Sequence, residues 1–141
     1  MRNTNVFFDT NVVIDIIVYR GQFTDTATQI FEMCRTGLLH GNISTQSICD
    51  IFYILRNDYT AAELKDMFYD VCKVLEVVGC EKSYIMYAFA DNAFRDFEDC
   101  VIAKCAEDIG CDYIITRDPK GFAASRIAVA TPQEFLDKMR V

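Results

Sequence analysis

Short runs of wholly apolar residues, separated by segments of helical periodicity, constrain this chain more than any other feature. Residues 6–8 and 113–115 form such runs, and strands without a polar face are typical of a parallel sheet covered on both sides. Between them, residues 25–35, 44–55 and 60–71 place apolar side chains three and four positions apart, as amphipathic helices do. The sequence therefore predicts an α/β fold, a three-layer α/β/α sandwich with a mostly parallel central sheet.

The expected element boundaries follow from these patterns and from capping signals. Strands are expected at residues 6–8, 38–43, 74–78, 113–115 and 128–130. Helices are expected at residues 12–19, 25–35, from 44 or 45 onwards, 60–71, 82–94, 96–109 and 132–139. Thr60 with Glu63 and Thr131 with Glu134 both have the spacing of a capping box.

Composition narrows the class of protein. The 141 residues, 52% of them apolar, suit a single domain over residues 1–141, and no repeat or linker interrupts them. Asp15 interrupts the apolar run near the N-terminus, so neither a signal peptide nor a membrane span is expected, and we predict a cytoplasmic protein. The seven cysteines include no Cys-x-x-Cys pair and are expected to be reduced. With one histidine, His40, a histidine-based metal site is not expected.

Four aspartates are expected to meet at one edge of the predicted sheet. Asp9 ends one apolar strand, and Asp118 lies in the loop beyond another. Asp96 and Asp99 share the first turn of a helix, whose dipole favours negative charge there. The functional cleft of such a sheet lies outside the carboxyl ends of the strands. Asp50, on the helix after the second strand, is expected to point into the same cleft.

A cluster of carboxylates repels itself unless cations lie between its members. Oxygen ligands favour hard ions, so Mg²⁺ or Mn²⁺ is expected rather than zinc. Such a site can lower the pKa of a bound water for attack at phosphorus and stabilise the leaving oxygen. Each acid also has an ordinary structural alternative: Asp9, Asp96, Asp99 and Asp118 as turn or helix-capping residues, and Asp50 as a mid-helix residue that faces solvent.

The formal charge of −7 does not exclude a nucleic-acid substrate. If five of the 21 acidic residues form one metal site, 14 basic residues face 16 acidic ones, a balance of about −2. Bound divalent cations would reverse the local sign.

These residues, in this order and spacing, resemble the PIN-domain family, a ribonuclease fold that includes the toxins of many toxin–antitoxin pairs. Phe8-Asp9-Thr10-Asn11 is similar to the family's first strand and first metal ligand, with Thr10 and Asn11 supporting it. Ser44 precedes Asp50 at the spacing of the serine before the second family acid, which is usually glutamate. Asp99 resembles the third acid, and Thr116-Arg117-Asp118 the closing Thr-x-Asp segment.

The resemblance implies Mg²⁺- or Mn²⁺-dependent hydrolysis of single-stranded RNA, leaving a 3′-hydroxyl and a 5′-phosphate. It implies Asp9, Asp50, Asp99 and Asp118 as catalytic residues and Asp9, Asp96, Asp99 and Asp118 as metal ligands. It also implies a homodimer and a cognate antitoxin that blocks the cleft. The candidate RNA-backbone contacts are Arg56, Arg95, Lys104, Arg117 and Lys120, of which Arg117 and Lys120 flank Asp118.

Three alternatives compete with a nuclease. A haloacid-dehalogenase phosphatase needs an aspartate where Asn11 stands, and a response-regulator receiver needs a lysine where Thr131 precedes Pro132. The stronger rival is a PIN-like module that binds RNA or protein without cutting, because Asp50 is one methylene shorter than the usual glutamate.

Overall fold

A five-stranded parallel sheet forms the centre of the protein. The computed structural model describes residues 3–140, so residues 1, 2 and 141 of the expected domain lie outside it. The strands are β1 (Thr4–Phe8), β2 (Leu39–Ser44), β3 (Glu76–Val78), β4 (Tyr113–Ile115) and β5 (Ala128–Ala130). Their order is β3-β2-β1-β4-β5, and every neighbouring pair is parallel. The predicted parallel sheet is confirmed.

Helices connect and cover these strands. They are α1 (Thr10–Ile17), α2 (Gln22–Arg35), α3 (Thr45–Ile54), α4 (Ala61–Val74), α5 (Lys82–Ala90), α6 (Phe97–Asp108) and α7 (Pro132–Met139). A 3₁₀ helix, Pro119–Phe122, follows β4. Both predicted capping boxes are present, at Thr60 and at Thr131. No helix within residues 3–140 is long and apolar enough to cross a membrane.

Two apolar cores lie on opposite faces of the sheet. On β1, Val6 and Phe8 pack into the core that contains buried residues of α1, α2, α4 and α7. Phe7 points the other way, into the core formed with α5, α6 and Ile114. The side chains of β1 residues 6–8 are fully buried. Their alternation between the two cores explains why this part of the strand is wholly apolar, and it confirms the three-layer sandwich.

Local differences from the sequence prediction have simple physical causes. Helix α1 begins at Thr10 rather than at residue 12, because the Asp9 carboxylate caps it. Strand β3 is shorter than predicted, since Val74 still belongs to α4. Helix α5 ends at Ala90, ahead of the predicted residue 94, because the Asp91 side chain caps the turn that follows. The 3₁₀ helix was not predicted.

The sheet order places the ends of β1 and β4 side by side. Phe8 is paired with Ile115, so the residues that follow them, Asp9 and Thr116, emerge together at the carboxyl edge. The Asp9 backbone N–H donates to the Ile115 carbonyl at 2.9 Å. This junction is where the candidate site lies.

All seven cysteines are free thiols, four of them buried.

Candidate metal centre

Hydrogen bonds hold the Asp9 carboxylate at the junction of β1 and β4. Its side chain is only 7% exposed, and both carboxylate oxygens accept hydrogen bonds. Oδ1 accepts from the Thr10 backbone N–H at 2.8 Å, and Oδ2 accepts from the Thr116 hydroxyl at 2.8 Å. Thr116 is fully buried, and its Oγ1 also accepts from the Asp118 backbone N–H at 3.1 Å. A single threonine therefore connects Asp9 to the loop that carries Asp118.

Gly121 marks the place where Asp99 and Asp118 face each other. A Cβ at this position would lie 2.9 Å from Oδ2 of Asp118 and 2.9 Å from Oδ2 of Asp99. The absence of a side chain therefore leaves a space between two carboxylates that a methyl group would overfill. Residues Arg95, Asp96, Phe97, Asp99, Asp118 and Gly121 line a cavity of about 390 Å³ here, which we call the acidic cavity.

The carboxylates of this region repel one another. Burial raises the pKa of Asp99 to about 7, and the negative charges of Asp9, Asp96, Glu98 and Asp118 add to this effect. Burial also raises the pKa of Asp9, against the lowering effect of the hydrogen bonds from Thr116 and Thr10. A cation placed among these groups would relieve the repulsion.

The donor set fits a hard divalent ion. Carboxylate oxygens are the ligands that Mg²⁺ and Mn²⁺ prefer, and the space beside Gly121 opens between two of them. Within residues 3–140, however, no three acidic, histidine or cysteine side chains are already arranged to hold one ion. The carboxylates near Gly121 would have to move closer together, or share the ion with water, as is usual for Mg²⁺.

Asp96 and Asp50 both accept local hydrogen bonds, and of the two only Asp96 lines the acidic cavity. Asp96 is exposed and caps α6, because its Oδ1 accepts from the Glu98 backbone N–H at 3.0 Å. Asp50 accepts from the Gln46 side-chain amide at 2.9 Å and contacts the Glu98 carboxyl group. Burial raises the pKa of Glu98, and Asp50 and Asp96 raise it further.

Glu98 is a carboxylate that the sequence analysis missed. The charge of Asp9 raises the pKa of Glu98, and the charge of Glu98 raises the pKa of Asp99, so Glu98 belongs to the same electrostatic cluster. Glu98 lies in the first turn of α6, between Asp96 and Asp99 in the sequence. That position is the sequence feature that could have identified it as a member of the cluster.

Hydroxyl groups connect the first and third helices behind Asp9. Ser44 caps α3 by accepting from the Ser47 backbone N–H at 3.0 Å, and the two side-chain oxygens are 3.1 Å apart. Ser47 is in turn 2.7 Å from the Thr10 hydroxyl. The Asn11 side-chain oxygen accepts from the Arg117 backbone N–H at 3.3 Å. Of the four predicted supporting residues, Thr10 and Asn11 join α1 to neighbouring elements, Ser44 reaches Thr10 through Ser47, and Thr116 binds Asp9. Ser47 was not predicted.

The Arg117 side chain points away from the acidic cavity. Its Nε lies 3.0 Å from Oδ2 of Asp15, a fully buried carboxylate on α1, and its guanidinium lies over the Phe23 ring at 4.2 Å. Arg20 approaches the other oxygen of Asp15 at 3.7 Å. Burial raises the pKa of Asp15, against the lowering effect of the two arginines. This geometry gives Arg117 a structural partner.

The other predicted basic contacts divide into two groups. Arg95 lines the acidic cavity, and Lys120 is exposed on the 3₁₀ helix beside Gly121. Lys104 lies 3.9 Å from Glu107, and Arg56 donates to the Tyr53 carbonyl on α3. Of these four residues, Arg95 and Lys120 are the ones near the carboxylates of the acidic cavity.

One family profile matches most of the chain. The profile of the PIN domain family matches residues 5–120. The chain belongs to the PIN domain family. The match runs from β1 through the 3₁₀ helix, so it spans Asp9, Asp50, Asp99 and Asp118. No curated protein matches the sequence.

Solved structures of similar fold are distant in sequence. A toxin–antitoxin complex from Klebsiella pneumoniae is 19% identical, with 90% of this chain and 97% of that chain covered and a TM-score of 0.69. DNA-bound VapBC from Salmonella typhimurium is 16% identical, with coverages of 92% and 98% and a TM-score of 0.70. The sarcin-ricin loop cleaving toxin VapC20 of Mycobacterium tuberculosis is 13% identical, with coverages of 84% and 94% and a TM-score of 0.65. These likenesses show that the PIN fold extends over nearly the whole chain.

Proposed function

We propose that this PIN domain is a metal-dependent endoribonuclease and the toxin of a toxin–antitoxin pair. The observation that carries the proposal is the meeting of Asp99 and Asp118 across the space at Gly121, with Asp9 fixed beside them by Thr116. Mg²⁺ or Mn²⁺ is the proposed cofactor, with Asp9, Asp99 and Asp118 as its ligands and Asp96, which lines the same cavity, as a further candidate ligand.

The side chains have distinct roles in this proposal. Asp9 presents a preoriented carboxylate, because hydrogen bonds fix both of its oxygens. Burial and neighbouring negative charges raise the pKa of Asp99 to about 7, so a bound cation would favour its ionised form. A divalent cation bound here would lower the pKa of a coordinated water and stabilise negative charge on the leaving oxygen. Thr116 maintains the spacing between Asp9 and the Asp118 loop.

Substrate binding is assigned to the basic residues around the acidic cavity. Arg95 and Lys120 are near the carboxylates and are the proposed phosphate contacts. Arg117 is proposed to position Asp118, since its guanidinium is paired with Asp15 and not directed at the cavity. RNA is the proposed substrate because a structural relative, VapC20, is described as cleaving the sarcin-ricin loop.

The proposed partners follow from the same relatives. The Klebsiella pneumoniae and Salmonella typhimurium structures are a toxin–antitoxin complex and a VapBC complex. We infer that this chain likewise has a cognate antitoxin. The homodimer stays a prediction from the family resemblance. Coexpression with the product of an adjacent small gene should relieve growth arrest caused by this chain alone. Arrest that the neighbour does not relieve would contradict that pairing.

One observation favours a non-catalytic alternative. Asp50, in the position of the second family acid, is hydrogen-bonded to Gln46 and does not line the acidic cavity with Asp99 and Asp118. A PIN-like module that binds RNA without cutting would tolerate such a loss. The longer Glu98 carboxylate, in contact with Asp50, offers the replacement that an active enzyme would need.

The test is RNA cleavage with matched variants. Purified protein is incubated with labelled single-stranded RNA and Mn²⁺, with EDTA in a parallel reaction. Asp9→Asn removes a central ligand, and Asp70→Asn is the matched control because Asp70 is exposed on α4. We expect cleavage by the wild type and the control only, and none in EDTA. Cleavage that persists in Asp9→Asn would overturn the assignment, and Mn²⁺ binding without cleavage of any RNA would favour the non-catalytic module.

A further inference from the structure

Two phenylalanine rings stack on the surface at the edge of the acidic cavity. Phe97 begins α6, and Phe89 lies in the last turn of α5. Their ring centroids are 5.5 Å apart, and their planes differ by 28°. Phe97 is 47% exposed and Phe89 is 67% exposed, so the pair presents aromatic surface to solvent instead of contributing to the core. We call these two rings the aromatic pair.

The segment between the two rings is fixed. The Asp91 carboxylate accepts hydrogen bonds from the backbone N–H groups of Ala93, at 3.0 Å, and Phe94, at 2.9 Å. The Phe94 ring packs edge-on against the buried Phe122 ring, with centroids 6.4 Å apart. Since these contacts hold the connection between α5 and α6, the aromatic pair is preorganised.

Phe97 stands between two depressions. On one side it lines the acidic cavity together with Asp96, Asp99 and Asp118. On the other it lines a cavity of about 250 Å³ with Gln46, Ile85 and Val101. A chain that passes from one depression to the other would run along this ring.

We propose that Phe97, backed by Phe89, is a stacking platform for one base of a single-stranded nucleic acid whose backbone enters the acidic cavity. This inference rests on the proposed nuclease function and names how that site positions its substrate. The carboxylates repel phosphate, whereas stacking on a neutral ring is not opposed by their charge. Every nucleobase has a π face, so the platform accepts RNA with little sequence preference. Arg95, in the same cavity, supplies a cation for the adjoining phosphate.

The first experiment measures binding of fluorescent single-stranded oligouridylate by anisotropy. It uses the Asp9→Asn background with Mn²⁺, and gel analysis checks that the RNA stays intact. Phe97→Ala should weaken binding by roughly 5- to 150-fold, whereas Phe97→Tyr, which keeps the π face, should remain within about threefold. An abasic oligomer of the same length has no base to stack. The protein that retains Phe97 should therefore bind it as weakly as Phe97→Ala binds oligouridylate.

A second experiment uses the absence of tryptophan from the chain. Phe97→Trp introduces a single indole, whose fluorescence oligouridylate should quench. Tyr19→Trp is the matched control, because Tyr19 is also exposed but lies beyond the far end of α1, a helix about 12 Å long. Its fluorescence should not change. Equal quenching of the two proteins would contradict a local stacking contact.

The outcomes separate this inference from the function on which it rests. The platform would be overturned if Phe97→Ala and Phe97→Tyr bound oligouridylate with equal affinity. It would also be overturned if the abasic oligomer bound as tightly as oligouridylate does. Unchanged affinity with lost self-association in Phe97→Ala would assign the ring to a contact between copies and would also overturn it. Phe97-dependent binding by a wild-type protein that never cleaves RNA would support the platform and refute the nuclease. Identical cleavage by wild type and Phe97→Ala would support the nuclease and refute the platform.

Discussion

Replacing Asp99 by asparagine should stabilise the metal-free protein at alkaline pH, although it removes a proposed metal ligand. Burial and neighbouring carboxylates make the ionised form of Asp99 unfavourable in the folded state. Asparagine has nearly the same shape and no charge, so the variant escapes this repulsion. A residue kept at a cost in stability is expected where function requires it.

The size of the effect follows from the pKa. For Asp99 the pKa rises from 3.8 to about 7. At about 1.36 kcal/mol for each pKa unit, this sets an upper limit of about 4 kcal/mol on the free-energy cost of ionisation. The side chain is half-buried, and solvent screening reduces the expected gain in Asp99→Asn to roughly 1–2 kcal/mol. For a domain of this size, that corresponds to a rise in Tm of roughly 3–8 °C.

The sign of the pH dependence is fixed by the direction of the shift. Because the folded-state pKa lies above the unfolded value, the folded protein binds an extra proton between pH 3.8 and about 7. This contribution to stability is fully present below pH 3.8 and is lost as the pH rises through about 7. Asp99→Asn does not titrate, so its advantage over wild type should grow across that window.

Thermal unfolding in EDTA tests this prediction. Wild type, Asp99→Asn and the exposed control Asp70→Asn are compared at about pH 5 and about pH 8.5. We expect the Tm of Asp99→Asn to exceed that of wild type mainly at the higher pH, with Asp70→Asn unchanged. Added Mn²⁺ should raise the Tm of wild type but not of Asp99→Asn. An equal or lower Tm for Asp99→Asn at the higher pH would refute the reasoning.

Three further substitutions probe the surroundings of the site. Gly121→Ala should weaken Mn²⁺ binding in calorimetry, because the added methyl group would lie 2.9 Å from two carboxylate oxygens. A Gly121→Ala protein that binds Mn²⁺ as tightly as wild type would contradict this. Thr116→Val removes the hydrogen bond to Asp9 and should raise the pKa of that carboxyl further, shifting the acid limb of the pH–activity profile upward. An acid limb that does not shift would contradict a role for the Thr116 hydrogen bond in setting the pKa of Asp9. Arg117→Met leaves Asp15 buried without its nearest cation and should lower Tm by roughly 10 °C or more, with partial recovery when Asp15→Leu is added.

Much of the architecture could be predicted because its signals are local. Apolar runs define the strands, and the capping boxes at Thr60 and Thr131 fix two helix starts within one residue. The convergence of Asp9 and Asp118 followed from the rule that parallel strands end at the same edge. These features depend on the residues themselves and on one topological principle.

Features that depend on packing were not predictable in this way. Asp15 was expected only to interrupt an apolar run, yet it is fully buried and paired with Arg117, about one hundred residues away. Arg117 was consequently placed at the substrate from its position beside Asp118. The roles of Ser47 and Glu98 likewise arise from contacts with Thr10 and Asp50 across different elements. No spacing in the sequence reports such contacts.

The most direct test of the central claim is anomalous diffraction from crystals grown with Mn²⁺. We expect an anomalous peak beside Gly121, within coordination distance of carboxylate oxygens of Asp9, Asp99 or Asp118, and no such peak in Asp99→Asn crystals. An empty site at saturating Mn²⁺, or an ion bound only elsewhere, would contradict the assignment of these carboxylates as the metal centre.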